Sequence, residues 1–365
     1  MAEERKYRIT ILILVLMLWS GFTSSGSFGG VDPKPTPVLI VPYFNLPDHA
    51  ELCGEEVPLK TADVRERFDR EFTLIVHSHA QVYLWLKRAE RYFPWIEKQL
   101  REKGLPDDLK FVAVAESDLM HGALSSAGAA GPWQFMSGTA SSYGMNQSGT
   151  VDERYDFEIS ASGAFKYLSN LYGQFKNWSL AIAAYNCGEK RVQDEIRRQR
   201  VQSYYLLKLP KETERYVFRI LAIKEVLSNP EKYGYYLPKG AGYPVIMVEK
   251  VNISLPGPIP VSAAAEAAGI TYREFKLLNP CFISDMVPKG SMTVKVPEGK
   301  GKEFEKRIEV LKAQYKPVLV MHRVAKGETV DGIAHRYDTS SQNVCEWNRI
   351  TGNKIRPGQV LKIYK

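Results

Sequence analysis

The spacing of hydrophobic residues changes at Leu237-Pro238. From about residue 63 to residue 231 they recur at helical intervals, as at Val82 and Leu86. After Pro238, short strand-like runs alternate with short helical runs, and 365 residues leave room for more than one domain. The pattern predicts a multidomain chain in which a mostly α domain at residues 61–237 precedes small α+β modules.

A strand–helix–helix–strand order occurs twice in the C-terminal third. The first set comprises predicted strands at 245–253 and 292–296 around helices at 261–268 and 271–279, and the second set runs from 322 to 363. Aligning Leu278-Asn279 with Trp347-Asn348 gives an offset of 69 residues. We therefore predict two tandem βααβ modules, at residues 243–298 and 318–365, joined by a connecting helix or linker at residues 299–317.

Residues 1–28 have the layout of a secretory signal. Lys6 and Arg8 precede an apolar run from Ile9 to Trp19, and small residues follow it. Spanning a bilayer takes about 20 apolar residues, so this run favours a signal peptide, with an uncleaved N-terminal anchor as the open alternative. The first cysteine is Cys53, which argues against lipid modification just after the run. We expect an exported, periplasmic or cell-envelope protein, with membrane association through the N-terminus left open.

Residues 29–60 contain six prolines between Pro33 and Pro58. Proline fixes φ and removes a backbone donor, so this segment is predicted to be an extended strap. The chain also contains four cysteines without a CxxC pair. In an oxidising compartment they could pair in three ways, among which the sequence does not choose.

Charge and motifs exclude several function classes. The net charge of +8 favours an anionic cell-wall polymer or membrane surface, whereas no basic helix with interleaved aromatic residues supports nucleic-acid binding. The sequence lacks the GxSxG, HExxH and GxxxxGK[ST] motifs of serine hydrolases, zinc proteases and P-loop proteins. We expect no metal, no cofactor and a monomer.

Glu116 is the strongest candidate for acid–base chemistry. It follows the apolar run that begins at Phe111, and on a helix Val112 and Ala113 lie one turn before it. An apolar environment disfavours the carboxylate and raises the pKa above its usual value of about 4.3, so that the group can donate a proton near neutrality. A buried ion pair with arginine, or a capping role, remains the alternative.

Two downstream segments have the composition of a sugar site. Residues 128–136 form a run of small residues followed by an amide and aromatic side chains, and residues 184–188 contain Tyr185, Asn186 and a glycine. Amides, hydroxyls and aromatic faces suit a neutral amino sugar, which needs hydrogen bonds and a flat apolar surface.

Four ordered segments resemble the soluble-type lytic transglycosylase family: Glu116-Ser117, residues 131–136, residues 184–188 and residues 212–217. The resemblance implies a goose-lysozyme-like helical fold with Glu116 as the single catalytic acid and base. It also implies a sugar site formed by Ser117, Gln134, Met136, Tyr185, Asn186 and Tyr216. Core packing for the tyrosines and capping or back-bonding for Asn186 and Ser117 remain alternatives.

Residues 321–364 resemble a lysin-motif (LysM) domain, a module that binds N-acetylglucosamine polymers. The resemblance places glycan contacts in two loops, at Gly327, Glu328, Thr329, Arg349 and Ile350. Turn formation for the glycine and helix capping for the threonine are the alternatives. The earlier module lacks the Gly-Glu-Thr loop, so no glycan contacts are assigned to it, and we interpret it as a degenerate LysM-like spacer.

The resemblance as a whole implies cleavage of peptidoglycan glycan strands between N-acetylmuramic acid and N-acetylglucosamine, with a 1,6-anhydro ring in the product. One alternative is a goose-type lysozyme or chitinase that uses water instead of the sugar hydroxyl. Another is a wall-binding scaffold whose catalytic-like domain is inert.

Overall fold

The computed structural model describes residues 41–315, 319–337, 339–352 and 354–364. The predicted signal at 1–28, the first part of the strap and residues 316–318 of the predicted linker lie outside this range. Residues 41–43 have no regular secondary structure, and the described chain from Phe44 onward forms one compact unit. No helix within the described ranges is both long and apolar enough to cross a membrane.

The first domain is mostly helical, as predicted. A short hairpin precedes its helices, and short 3₁₀ turns occur at 107–109, 153–155, 204–206 and 230–233. The bounds are β1 (Glu51–Leu52), β2 (Glu55–Glu56), α1 (Ala62–Val76), α2 (His79–Glu102), α3 (Lys110–Ser117), α4 (Ser137–Ser142), α5 (Phe157–Phe175), α6 (Trp178–Cys187), α7 (Glu189–Gln199) and α8 (Lys211–Ser228).

Helix α6 lies at the centre of this domain, because every side chain from Trp178 to Ala184 is buried. It begins at Asn177, whose side-chain oxygen accepts the Leu180 amide at 2.9 Å, a standard N-cap. The described part of the strap reaches the same end of the helix. There the Glu55 carboxylate accepts the Trp178 amide at 2.6 Å. The strap therefore does pack on the helical domain, and it supplies negative charge where the helix dipole favours it.

Helix α8 positions the later part of the site. It packs against α1 and α3, and its buried Phe218 stacks near Phe68 of α1 at a centroid distance of 6.5 Å. Because α3 and α8 are in contact, side chains at the end of α3 can meet side chains from the first turns of α8.

The C-terminal third forms the two βααβ modules predicted from the repeat. The first consists of β3 (Val248–Leu255), β4 (Ile259–Pro260), α9 (Val261–Ala268), α10 (Tyr272–Leu278), β5 (Met286–Val287) and β6 (Gly290–Pro297). The second consists of β7 (Leu319–Arg323), α12 (Val330–Arg336), α13 (Ser341–Asn348) and β8 (Val360–Tyr364). In each module the outer strands pair antiparallel, β3 with β6 and β7 with β8. The fold class predicted from the sequence is thus confirmed.

Asparagines at equivalent positions of the two modules make the same pair of hydrogen bonds. Asn279 donates to the Lys295 carbonyl at 2.8 Å and accepts the Lys295 amide at 2.7 Å. Asn348, 69 positions later, makes the same two bonds to Lys362, at 2.8 and 2.7 Å. The repeat found by offset therefore reflects a shared way of closing the second helix onto the last strand.

The predicted connecting helix is present as α11 (Gly301–Gln314), and it also packs on the first module. Its side chains Phe304 and Ile308 are buried in the hydrophobic core of the first module. This helix is therefore an integral layer of that module.

Candidate active site

Glu116 lies at the end of α3, next to Tyr216 of α8. The preceding residues of α3 from Phe111 to Val114 are buried, and Glu116 itself is partly buried. The Tyr216 hydroxyl donates a hydrogen bond to Oε1 of Glu116. Burial raises the pKa of Glu116 from 4.5 to about 7, against the opposing effects of the Tyr216 bond and of the Arg219 charge. The carboxyl group can therefore hold a proton near neutrality, as the sequence predicts.

The backbone turns sharply after Glu116. Asp118 and Leu119 both adopt left-handed conformations, with φ of 57° and 61°. Trp85 Nε1 donates to the Asp118 carboxylate at 2.7 Å, and Arg88 donates to the Asp118 carbonyl at 3.0 Å. Left-handed non-glycine residues are costly and cluster at functional sites. The turn ends α3 immediately after Ser117 and leaves the Glu116 carboxyl at the helix terminus.

The small-residue segment at 128–135 forms a tight loop opposite α3. Gly131 has a φ of +79°, and a Cβ there would lie 1.8 Å from the Arg154 carbonyl oxygen. Ala130 and Phe135 exchange two backbone bonds of 3.1 Å, and Gln134 between them has a φ of 47°. Only glycine fits the closest approach, which is why a run of small residues marks this loop.

Two of the predicted sugar-binding residues hold this loop in place. The Ser117 hydroxyl donates to the Pro132 carbonyl at 2.8 Å, and the Tyr185 hydroxyl donates to the Trp133 carbonyl at 2.7 Å. Ser117 also back-bonds to Ala113 at 3.2 Å and is buried. In this structure both hydroxyls therefore link α3 and α6 to the loop, while the ring of Tyr185 stays partly exposed.

The two predicted amides are both oriented by internal bonds. The Gln134 amide nitrogen donates to the Gly131 carbonyl at 2.8 Å. The Asn186 side-chain oxygen accepts the Thr213 hydroxyl at 2.7 Å, so its amide nitrogen points away from Thr213. Met136 is 48% exposed just before α4. Thr213 was missed as a site residue because its role depends on a contact between α6 and α8.

Further aromatic residues extend the surface around Tyr185. The rings of Tyr167 and Tyr185 are 5.3 Å apart, and those of Tyr143 and Tyr167 are 5.0 Å apart. All three are partly exposed. Such a surface suits the apolar face of a sugar ring. Sequence reasoning missed Tyr143 and Tyr167, because one lies in a loop and the other on a helix, without a shared pattern.

The residues predicted to contact glycan in the last module lie in two loops. Gly327, with a φ of +88°, and Thr329 are exposed, and the Thr329 hydroxyl caps α12 by accepting the Gly332 amide at 3.1 Å. Arg349 is exposed in a left-handed conformation, and Ile350 packs partly buried against the core of the module.

Glu328 has internal partners. Its carboxylate accepts the Ala325 amide and contacts His322 Nε2, both at 2.8 Å, and it pairs with Arg336 at 2.6 Å. The Ala325 amide, and then His322, lower the pKa of Glu328. This geometry favours a structural role for Glu328, and the glycan-contact assignments stay predictions.

The described residues contain no group of three or more His, Cys, Asp or Glu side chains arranged to hold a metal ion. What the helical domain does bring together is one partly buried carboxyl, a phenol bonded to it, two oriented amides and a tyrosine surface. Such a set can transfer a proton and bind a neutral sugar.

Three ranges of the chain match known protein families. Residues 93–207 match the transglycosylase SLT domain. Residues 249–313 match the LysM-like domain of the lytic transglycosylase MltD, and residues 322–363 match the LysM domain. The chain therefore carries an SLT-type transglycosylase domain followed by two LysM-type modules, which confirms the resemblance found in the sequence.

One curated relative is named as a lytic murein transglycosylase. Over 292 residues the chain is 30% identical to the membrane-bound lytic murein transglycosylase D of Escherichia coli K12, which covers 76% of this chain. The alignment covers 64% of that relative, so the chain spans less than two thirds of its length.

Two solved structures of lytic transglycosylases match part of the fold. The Slt enzyme of Pseudomonas aeruginosa matches with a TM-score of 0.32 and 22% identity, over 41% of this chain and 26% of that one. The 70 kDa soluble enzyme of Escherichia coli matches with a TM-score of 0.36 and 24% identity, over 47% and 31%.

Proposed function

We propose that this protein is a peptidoglycan lytic transglycosylase. It cleaves the β-1,4 bond between N-acetylmuramic acid and N-acetylglucosamine and leaves a 1,6-anhydro-N-acetylmuramic acid end. The observation that carries this proposal is the Glu116 carboxyl. It lies at the end of a buried helix, is hydrogen-bonded to Tyr216 and has a pKa raised to about 7 by burial.

One carboxyl suffices for this reaction because it serves twice. Protonated Glu116 gives its proton to the bridging oxygen as the bond from that oxygen to the muramoyl C1 breaks. The positive charge that develops at C1 is stabilised by the acetamido group of the same sugar, as in substrate-assisted glycosidases. The Glu116 carboxylate then accepts the proton of the C6 hydroxyl, whose oxygen bonds to C1. The carboxyl regains its starting proton, and no water is added.

A second carboxylate occurs nearby, at Glu212. Its negative charge raises the pKa of Glu116. Its own side chain is 58% exposed and pairs with Arg219 at 3.1 Å. Because this charge is already paired and faces solvent, we assign it an electrostatic influence and not the role of a second catalytic group.

We assign the sugar-binding roles within this proposal from the geometry. The amides of Gln134 and Asn186 bind the hydroxyl and acetamido groups, and Tyr185 presents its ring to the sugar while its hydroxyl holds the loop. Ser117 positions the loop. Met136 and the exposed LysM loops supply further contacts along the glycan strand.

We further propose that the protein acts in the cell envelope on peptidoglycan strands. The name of the Escherichia coli relative, a membrane-bound murein enzyme, supports this setting. The C-terminal LysM module keeps the catalytic domain on the polymer, and such tethering raises effective affinity by about 10²–10⁴ when both sites can engage one strand.

Mass spectrometry of the products from purified peptidoglycan tests the proposal. Wild type is expected to release muropeptides about 18 Da lighter than the reducing-end forms. Glu116→Gln removes the acidic proton and should release none, whereas the matched control Glu212→Gln should give the same anhydro products as wild type. Reducing-end products would indicate the lysozyme-type hydrolase, and tight sacculus binding without any product would indicate an inert scaffold.

A further inference from the structure

The first LysM-like module docks on the catalytic domain through residues 150–156 and through Glu158 in the first turn of α5. The Asp152 amide donates to the Cys281 carbonyl at 2.8 Å, and the Ile283 amide donates to the Thr150 carbonyl at 3.0 Å. Between these bonds Val151 forms an antiparallel bridge with Phe282. The Val151 side chain packs against the hydrophobic core of the module. The module predicted to be a spacer therefore shares backbone hydrogen bonds and hydrophobic contacts with the catalytic domain.

A buried ion pair closes the same interface. Lys295 Nζ lies 2.7 Å from the Asp156 carboxylate, and their side chains are only 15% and 5% exposed. The other Asp156 oxygen accepts the amides of Glu158 and Ile159, both at 3.0 Å, and so caps helix α5. Since Asp156 is buried and Lys295 is largely so, removing the lysine charge leaves the carboxylate uncompensated in the interior.

The segment that carries these contacts also holds the loop opposite Glu116. Arg154 is buried and pairs with Asp152 at 2.7 Å. Its Nη1 donates to the carbonyls of Gly128 at 2.8 Å and Phe135 at 3.0 Å, the two ends of the loop. The Arg154 carbonyl is the atom against which Gly131 packs. Residues 150–156 therefore contact both the module and the loop at residues 128–135.

The loop needs such support because its backbone is held away from relaxed conformations. Gln134 has a φ of 47°, in the left-handed region that only glycine adopts without cost. Strained residues of this kind persist only where their surroundings fix them. Ser117 and Tyr185 hold the loop from the side of Glu116, and Arg154 holds it from the side of the module.

We propose that the LysM-like module at residues 248–297 is an intramolecular buttress for the catalytic loop, with Lys295 and Arg154 as positioning residues. Docking of the module fixes residues 150–156, and these fix residues 128–135 at the distance from Glu116 that catalysis requires. Its effect on turnover rests on the function proposed above. Small misplacements of catalytic groups caused by distant mutations can cost as much as about 10²-fold in rate.

The test compares three variants of the full chain. Lys295→Met removes the buried charge and keeps most of the side-chain volume, and Lys295→Arg restores the charge. The matched control is Lys250→Met at the same interface, where Lys250 pairs with Glu158 but is 53% exposed. Hydrogen exchange at the amides of Ala130, Gly131 and Phe135 reports the state of the loop without any need for catalysis. Rates of product release give kcat and KM separately.

Lys295→Met is expected to speed exchange at the three loop amides by about 10-fold or more, with α3 and α6 unaffected. It should lower kcat by about 10-fold and change KM by less than about 2-fold, because the sugar-binding groups remain present. Lys295→Arg should recover most of both effects, and Lys250→Met should match wild type.

Unchanged loop exchange in Lys295→Met would overturn the proposal. The proposal would also fail if the amides of the module exchanged faster in a variant while loop exchange and kcat stayed normal. The loop would then not depend on docking of the module. If wild type releases no anhydro products but Lys295→Met still speeds exchange at the loop amides, the buttress is upheld and the proposed function is overturned.

Discussion

Replacing Glu116 with glutamine should stabilise the protein, and the gain should depend on pH. The pKa of Glu116 lies at about 7 in the folded protein and at 4.5 in the reference state. Each pKa unit corresponds to about 1.4 kcal/mol, so ionising this group in the folded state costs at most about 3.5 kcal/mol. Glutamine keeps the acceptor oxygen for Tyr216 and carries no charge at any pH.

The sign of the effect follows from the order of the two pKa values. Below pH 4.5 the carboxyl is protonated in both states, so wild type and Glu116→Gln should be equally stable. Between pH 4.5 and about 7 the unfolded chain loses the proton first, which draws wild type toward unfolding. Well above pH 7 the carboxyl is ionised in both states, and the full free-energy cost of ionising it in the folded protein destabilises wild type. The free energy of unfolding of wild type, relative to that of Glu116→Gln, therefore falls as pH rises.

Guanidinium unfolding of both proteins at pH 4 and pH 8, followed by near-ultraviolet circular dichroism, measures this difference. We expect the variant to be more stable by up to about 3 kcal/mol at pH 8 and by close to zero at pH 4. The control Glu212→Gln removes an exposed carboxylate that adds only the smallest contribution to the raised pKa of Glu116, so it should show at most a small part of this pH dependence. A gain that is equal at both pH values, or absent at pH 8, would refute the assignment of a desolvated acid at this position.

Three further predictions concern the acid, the loop and the last module. Tyr216→Phe removes a bond that favours the Glu116 carboxylate, so the alkaline limb of the pH–rate profile should move up by roughly one pKa unit. Tyr235→Phe, which loses a buried bond to a carbonyl elsewhere, should leave the limb in place. Gly131→Ala puts a methyl group 1.8 Å from the Arg154 carbonyl oxygen at a residue with positive φ. It should lower the free energy of unfolding, measured by thermal denaturation, by more than about 2 kcal/mol and should abolish product release. An active, stable variant would contradict the loop geometry. Truncation after Gln314, which keeps α11 in its module, should weaken sacculus binding by at least about 10-fold while cleavage of short soluble glycans stays within about 2-fold; equal losses in both assays would argue against tethering by LysM.

The parts of the structure that could be predicted from the sequence are those that depend on local patterns. The strand–helix–helix–strand order of both modules follows from periodicity, and Asn279 and Asn348 were aligned because the repeat preserves a structural contact. Glu116 stood out because a single carboxyl in an apolar helix is locally visible. Its pKa and its bond to Tyr216 agree with that interpretation.

The parts that were missed depend on contacts between distant segments. Nothing near Arg154 indicates that its guanidinium reaches both ends of the loop at 128–135, and nothing near Lys295 indicates a buried partner on the catalytic domain. The motif predicts a glycan contact for Glu328, which stays a prediction, but it does not show that His322 and Arg336 contact the carboxylate. In each case the side chain's partner is set by the tertiary fold, which periodicity does not report.

In the proposed reaction Glu116 transfers a proton between two sugar oxygens without involving water. Digestion of peptidoglycan in H₂¹⁸O, with product masses read after a short reaction, tests this most directly. We expect anhydro muropeptides with no added isotope from wild type, and no products from Glu116→Gln. Products that carry a reducing end and are about 2 Da heavier than those formed in ordinary water would show that water attacks the sugar, and would contradict it.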